Sequence, residues 1–228
     1  MTAAETMVLV GMFDSPFVRR VAVSLRVLEL PFEHRNLSVG KDEAQIRALN
    51  PLGRVPVLVL PSGESLIESA MILDHLDALA GPDRALLPLA GEPRRAAQQW
   101  LALVTGAVDK GIQLVYEKIF RPADKQHLPW TDRCRRQMEG ALSELDARCA
   151  AVDARDWLVG ERIGQADITL ACFCTYLRDA VPADLAPYAA LRARCERIED
   201  LRALREFYLP FDAPVPVVPA ADKPGAAA

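Results

Sequence analysis

The chain has 228 residues, 51% hydrophobic and 25% charged, with 17 prolines; this is globular usage and excludes collagen-like, coiled-coil-only and wholly disordered chains. A net charge of −4 and a pI near 5.5 argue against nucleic acid as a partner, because that affinity comes mostly from phosphate neutralisation by Lys and Arg. The five cysteines, Cys134, Cys149, Cys172, Cys174 and Cys195, are odd in number, irregular in spacing and confined to the second half, so reduced thiols in a cytoplasmic protein are expected rather than a disulfide framework.

Met1 to Met7 carries one acid and no base, and no apolar run reaches the ~18 residues a membrane span needs, so neither secretion nor a membrane partner is expected. Met7 to Met12 is short, apolar and interrupted by Gly11, which favours a buried strand. A helix follows: Ser15 is placed as N-cap, Pro16 at the first helical position, and Val18, Val21, Ala22, Leu25 and Leu28 keep the helical period until Pro31. Phe32 to Val39 reads as a second strand and Asp42 to Leu49 as a short helix stopped by Asn50-Pro51. Val55 to Leu60 and Ser65 to Glu68 are joined by Pro61-Ser62-Gly63-Glu64, which predicts a hairpin. A helix from Ser69 to Leu79 would bury Met71, Ile72, Leu73, Leu76 and Leu79.

This order gives a mixed sheet with helices on its faces, the plan of a thioredoxin-like domain over residues 1–83. Residues 84–92 read as a linker. Beyond it the periods are helical: Pro93 to Arg121 carries Trp100, Leu103, Val104, Ala107, Val108, Gly111 and Leu114 on one stripe, and another helix starts near Thr131. Ile168 to Leu177 is apolar almost all round and too short for a bilayer, so it reads as the buried centre of an all-α domain over residues 93–208. Shorter helices are expected at Pro187 to Arg197 and Leu201 to Phe207. Residues 209–228 are Pro- and Ala-rich without periodicity, an extended arm. His34, His75 and His127 are isolated from one another and from the cysteines, so no metal site can be assembled from sequence neighbours.

Four segments then identify the family. Ser15-Pro16-Phe17-Val18-Arg19-Arg20-Val21, Asn50 to Leu58, Ile67-Glu68-Ser69-Ala70-Met71-Ile72-Leu73 and Gly160 to Asp167 occur in the order of the cytosolic glutathione transferases, and the chain resembles that family from Val8 to about Tyr208. The Ser-Pro-Phe form is similar to the tau class and related bacterial members. The resemblance implies the glutathione transferase fold, glutathione as co-substrate, no metal, a homodimer, and an enzyme of detoxification.

It also implies roles. A thiol of pKa ~8.5 is only a few per cent thiolate at neutral pH, and Ser15, at a helix N-terminus, would stabilise the glutathione thiolate; read from the helix signal alone, a plain N-cap is the commoner use of such a serine. Val55-Pro56 would form a cis bond and present the Val55 backbone to the cysteinyl backbone, whereas an ordinary trans proline is the bland reading. Glu68 would take the γ-glutamyl ammonium and Ser69, read as N-cap of its helix, the carboxylate. Phe17, Lys41 and Arg54 complete the expected glutathione contacts, the two cations gripping the glycyl carboxylate. With 7 bases against 11 acids in residues 1–83, specific cationic contacts rather than a bulk field must hold that anion. An apolar electrophile would lie among Met12, Phe13, Ile112, Tyr116 and Phe120, which could equally be core. In the capping box before the buried helix, Gly164 replaces the usual hydroxyl and Asp167 is kept.

The leading expectation is conjugation of glutathione to an apolar electrophile. The same site would serve a glutathione-dependent isomerase, dehalogenase or disulfide reductase. A non-catalytic, partner-binding relative would keep the fold and lose the glutathione grip, so Pro56, Glu68 and Ser69 together argue against it.

Overall fold

The computed structural model describes residues 6–181 and 183–212. The first half runs β1 (Met7–Val10), α1 (Pro16–Val27), β2 (Phe32–Arg35), α2 (Glu43–Leu49), β3 (Val57–Val59), β4 (Ser65–Ile67) and α3 (Ser69–Ala80). The second half is helical: α4 (Gly91–Phe120), α5 (Leu128–Ala151), α6 (Gln165–Ala180), α7 (Ala189–Glu199) and α8 (Arg202–Glu206), with one 3-10 turn at Ala123–Lys125. No helix among the described residues is long and apolar enough to cross a membrane. Of the expected arm, residues 213–228 lie outside the described residues, as do residues 1–5 of the N-terminal segment.

The sheet has the order β2-β1-β3-β4, with β1 and β2 parallel and the other pairings antiparallel. Strand alternation divides its side chains between two layers. Leu9 and Leu58 face α1 and α3 and join a continuous core with Val18, Val21, Ile72 and Leu76, while Val10 and Val57 face Ile46 of α2. The second strand is shorter than its apolar pattern suggested, because residues after Arg35 leave the ladder and Leu37 turns into the Ile46 layer.

Of the apolar stripe expected in α3, Ile72, Leu73 and Leu76 are buried; Met71 and Leu79 are 59% and 53% exposed. Met71 lies about 100° round the helix from Ile72, outside the buried arc, whereas Leu79 lies at the edge of that arc in the last turn of the helix. Ser69 is also not the N-cap. Glu68 holds that position with φ +68°, and its carboxylate accepts the Ala70 N–H.

The two halves share one core. Helix α6 is buried nearly throughout and packs on α1, α4 and α7. Phe17 meets Phe173 edge to face, and Ser24 donates to Gln165 (3.1 Å). The buried Arg19 guanidinium spans the halves by a two-pronged pair with Glu199 and a bond to the Leu204 carbonyl. At the start of α6, Asp167 accepts the N–H groups of Leu158 and Gly164, both at 3.1 Å, so the carboxylate half of the capping box survives the loss of the hydroxyl.

Candidate active site

A cleft of about 230 Å³ opens between the halves where the loop after β1 meets α4 and α6. Ser15 sits at its floor as N-cap of α1 in extended conformation (φ −70°, ψ 122°). Its hydroxyl makes no capping bond, so the usual structural use of such a serine is not in force. The amide groups of the first turn of α1 add favourable potential for an anion beside it.

Ser15 is placed by a tight joint. Gly11, at φ +128°, ends β1 by donating to the Arg35 carbonyl (3.0 Å). A Cβ there would lie 2.6 Å from Cγ2 of Val18 and 2.8 Å from Cβ of Val55, so only glycine lets α1 and the Val55 segment close on the strand end. The Val55-Pro56 bond is cis. The loop before it is organised by Asn50, 2% exposed, which donates through Nδ2 to the Arg54 carbonyl (2.8 Å) and accepts the Leu52 N–H (3.0 Å). Arg54, Val55 and Pro56 thereby line the cleft beside Phe17, and among the described lining residues Arg54 is the one cation.

Glu68 and Ser69 close this side. Ser69 is fully buried; its hydroxyl donates to Oε1 of Glu68 (3.0 Å) and accepts from the Arg20 guanidinium (2.7 Å). Burial brings Arg20 down to about 10, opposed by the nearby Glu68 carboxylate, so it remains a cation at neutral pH. Arg20 also lies over the Phe173 and Phe17 rings. It is a supporting residue that sequence reasoning quoted without assigning; an arginine on the buried face of an apolar helix, among Val18, Val21 and Ala22, was the available signal.

The opposite wall comes from the helices. Asp109, Ile112, Gln113 and Tyr116 follow helical spacing on one face of α4, and Tyr176 of α6 and Phe211 stand beside them. Gly111 makes this possible: a Cβ there would lie 2.6 Å from Cδ2 of Leu177 and 3.1 Å from Cγ2 of Val181, so α4 and α6 cross at backbone-close range. Phe211 packs edge-on against Tyr176 (89° between planes), and the Asp212 N–H donates to Oδ2 of Asp14 (3.1 Å), tying the 211–212 segment to the residue before Ser15. Burial raises the Asp14 carboxyl above its ordinary range.

Of the residues expected at the site, Met12, Ser15, Phe17, Arg54, Val55, Pro56, Glu68, Ser69, Ile112 and Tyr116 line this cleft. Lys41, Phe13 and Phe120 do not. Lys41 is exposed on a turn in which the Ser38 carbonyl accepts from Lys41 and Asp42. Phe13 turns away, stacking on His34 (3.8 Å between centroids) and packing against Phe207. Phe120, 48% exposed, touches Tyr116 edge-on from outside the cleft. Asp14, Val39, Asn50, Asp109, Gln113, Tyr176 and Phe211 were not anticipated.

The described residues contain no cluster of His, Cys, Asp and Glu suited to a metal. All five cysteines are unpaired and buried. Burial pushes Cys149 and Cys172 up to about 12, which keeps both protonated at neutral pH.

Comparison with known proteins agrees with this geometry. The glutathione S-transferase N-terminal domain model matches residues 9–84 and the corresponding C-terminal domain model residues 129–208. The chain is 32% identical over 171 residues, 75% of this chain and 82% of the relative, to the uncharacterized GST-like protein YibF of Escherichia coli. The chain belongs to the glutathione S-transferase family. Another member, glutathione S-transferase U7 of Arabidopsis thaliana, is 25% identical over 75% of this chain and 70% of its own length. Among solved structures, a glutathione S-transferase of Methylobacterium radiotolerans in complex with glutathione sulfonate superposes with a TM-score of 0.80 at 29% identity, covering 96% of this chain and 99% of that one. One from Methylobacillus flagellatus with glutathione bound gives 0.81 at 26%, covering 93% and 100%.

Proposed function

We propose that the protein is a glutathione transferase in which Ser15 stabilises the thiolate of glutathione for attack on an apolar electrophile. The observation that carries this is the Ser15 hydroxyl: it stands at the N-terminus of α1, free of any capping bond, between a polar wall and an apolar one. A donated hydrogen bond and the helix-end potential both favour a thiolate over a thiol. Glutathione would lie with its γ-glutamyl end at Glu68 and Ser69, its cysteinyl backbone along Val55 and its glycyl carboxylate toward Arg54. The thiolate then points at Met12, Ile112 and Tyr116, where an apolar electrophile would sit. The reactive sulfur belongs to the ligand, since the first half has no cysteine and the thiols of the second half are buried.

Ser15→Ala, assayed by steady-state conjugation of benzyl chloride, should lower kcat/KM on the order of 10²-fold, the equivalent of two pKa units of thiol activation. Activity equal to wild type would remove Ser15 from the mechanism. The reduced, unpaired cysteines suit a cytoplasmic protein acting in detoxification. The protein would work as a homodimer, in which the exposed Leu52 (67%) and Met71 are apolar surface available for burial; light scattering at micromolar concentration reporting a monomer would exclude this.

A further inference from the structure

We propose that His34 is a positioning residue for the reaction: it grips the loop between β1 and α1 through the Gly11 carbonyl and the Phe13 ring, and so fixes where the Ser15 hydroxyl stands relative to the glutathione sulfur. This inference rests on the transferase reading above and names a further residue on which the activity of the same site depends.

Between the end of β1 at Val10 and the start of α1 at Pro16 lie Gly11, Met12, Phe13, Asp14 and Ser15, which belong to no strand or helix. Their course is therefore set by whatever holds them from the side. Gly11 has no side chain to hold, and its main-chain groups are held instead, both by β2. Its N–H donates to the Arg35 carbonyl (3.0 Å), and its own carbonyl lies 2.7 Å from Nε2 of His34. A carbonyl oxygen can only accept, so this ring nitrogen carries the proton and donates. The distance is at the short end of the range for such bonds. The Phe13 ring stacks flat on the same imidazole, with centroids 3.8 Å and planes 15° apart, and packs against the buried Phe207. One imidazole thus holds the residues on either side of Met12. The turn that follows is closed by the Ser15 N–H, which donates to the Met12 carbonyl (3.2 Å). With its first half clamped, this turn has little freedom left in where it delivers Ser15.

His34 is absent from the described lining of the cleft, so it acts through the loop and not on a substrate. It stands on an edge strand between the exposed Glu33 and Arg35, where packing places no demand for a histidine. What the position uses is a flat ring with a donor on its rim. Phenylalanine keeps the ring and gives up the donor; glutamine keeps a donor and gives up the ring, while Phe13 retains its contact with Phe207. The Ser15 hydroxyl favours thiolate over thiol through a hydrogen bond to the sulfur, and that bond weakens steeply with distance and angle. A small displacement of the loop is therefore read as a thiol that ionises less readily. Val55, Glu68 and Ser69 are borne on other segments of the chain, so glutathione itself stays bound.

The test follows kcat/KM for benzyl chloride against pH, and the ultraviolet absorbance of the bound glutathione thiolate, in wild type, His34→Phe and His34→Gln, with glutathione affinity from calorimetry. His34→Phe should lose on the order of tenfold in kcat/KM near neutral pH, mostly in kcat, with glutathione affinity within about twofold of wild type. The loss should close as pH rises past the free thiol value of ~8.5, because a thiol that solvent already ionises gains little from Ser15. The thiolate titration should move upward in step, and His34→Gln should stay within about threefold of wild type throughout. A loss of the same size at every pH, an unmoved thiolate titration, a His34→Gln as impaired as His34→Phe, or a His34→Phe too unstable to bind glutathione would overturn the inference and leave the transferase reading standing. A wild type that does not conjugate benzyl chloride would overturn the transferase reading, and the inference with it.

Discussion

On the first-domain side, the cleft is lined by a few contiguous stretches of chain, residues 12, 14–17, 50, 52–56 and 68–69 with Val39 beside them; on the helical side the residues arrive from successive turns of α4, from α6 and from the 211–212 segment. The first wall is made by backbone devices: a glycine at φ +128°, a cis proline, an asparagine that folds its own loop, a glutamate at φ +68°. Its tolerance to change is small because each device fixes where a main-chain group points. The second wall is made by side chains projecting from helix faces, and exchanging one for another leaves the helices in place. A scaffold of this kind keeps one ligand constant and lets the other vary.

This contrast can be broken at two glycines, one in each half. Gly11→Ala puts a Cβ against Val18 and Val55 at a backbone angle that side chains rarely adopt. The combined strain and overpacking should cost about 4 kcal/mol, read as a lowered urea midpoint, and should abolish glutathione binding in the fraction that folds. An unchanged midpoint would show that the β1 end is not the rigid joint described. Gly111→Ala is the milder counterpart. Its Cβ meets Cδ2 of Leu177, the movable end of a side chain, so about 1–2 kcal/mol is expected as α4 and α6 are pushed apart. Because Tyr176 and Ile112 adjoin this crossing, KM for an apolar electrophile should rise several-fold while KM for glutathione stays within about twofold. A parallel rise in both would mean that the walls are coupled.

The same contrast explains what could be read in advance. Ser15-Pro16-Phe17, the stretch from Asn50 to Pro56, and Glu68-Ser69 are legible because caps, prolines and loop-forming asparagine act on their own neighbours, so the signal is local. The mixed sheet followed from the hairpin and the alternation of strands with helices. Tyr176 was not legible: in a segment apolar on all sides a tyrosine reads as core. Asp212 and Asp14 meet through a hydrogen bond between residues 198 apart in sequence. Met71 and Leu79 show the opposite failure, an apolar stripe taken too broadly. Lys41 and Phe120 fit a pattern in sequence, and the turn at Ser38 and the length of α4 carry them past the cleft.

Asp14 offers the smallest effect, and one with a definite sign. Burial is the largest influence on its carboxyl and raises its pKa, while the Asp212 N–H works against this. Below the ordinary carboxylate value of ~4 both the folded and the unfolded chain hold the proton, so Asp14 contributes no difference. As pH rises past that value the unfolded chain ionises first, and the folded state loses stability until its own, higher pKa is passed; above it the loss is constant. Asp14→Asn cannot ionise and still offers an oxygen to Asp212. The melting temperature of the variant should therefore match wild type near the acid end and exceed it at neutral pH, with the gap opening as pH rises through the carboxylate range. A difference independent of pH would mean that the charge is not what the site resists. In that case the link between the 211–212 segment and the floor of the cleft depends on shape alone, and the second wall would be as rigid as the first.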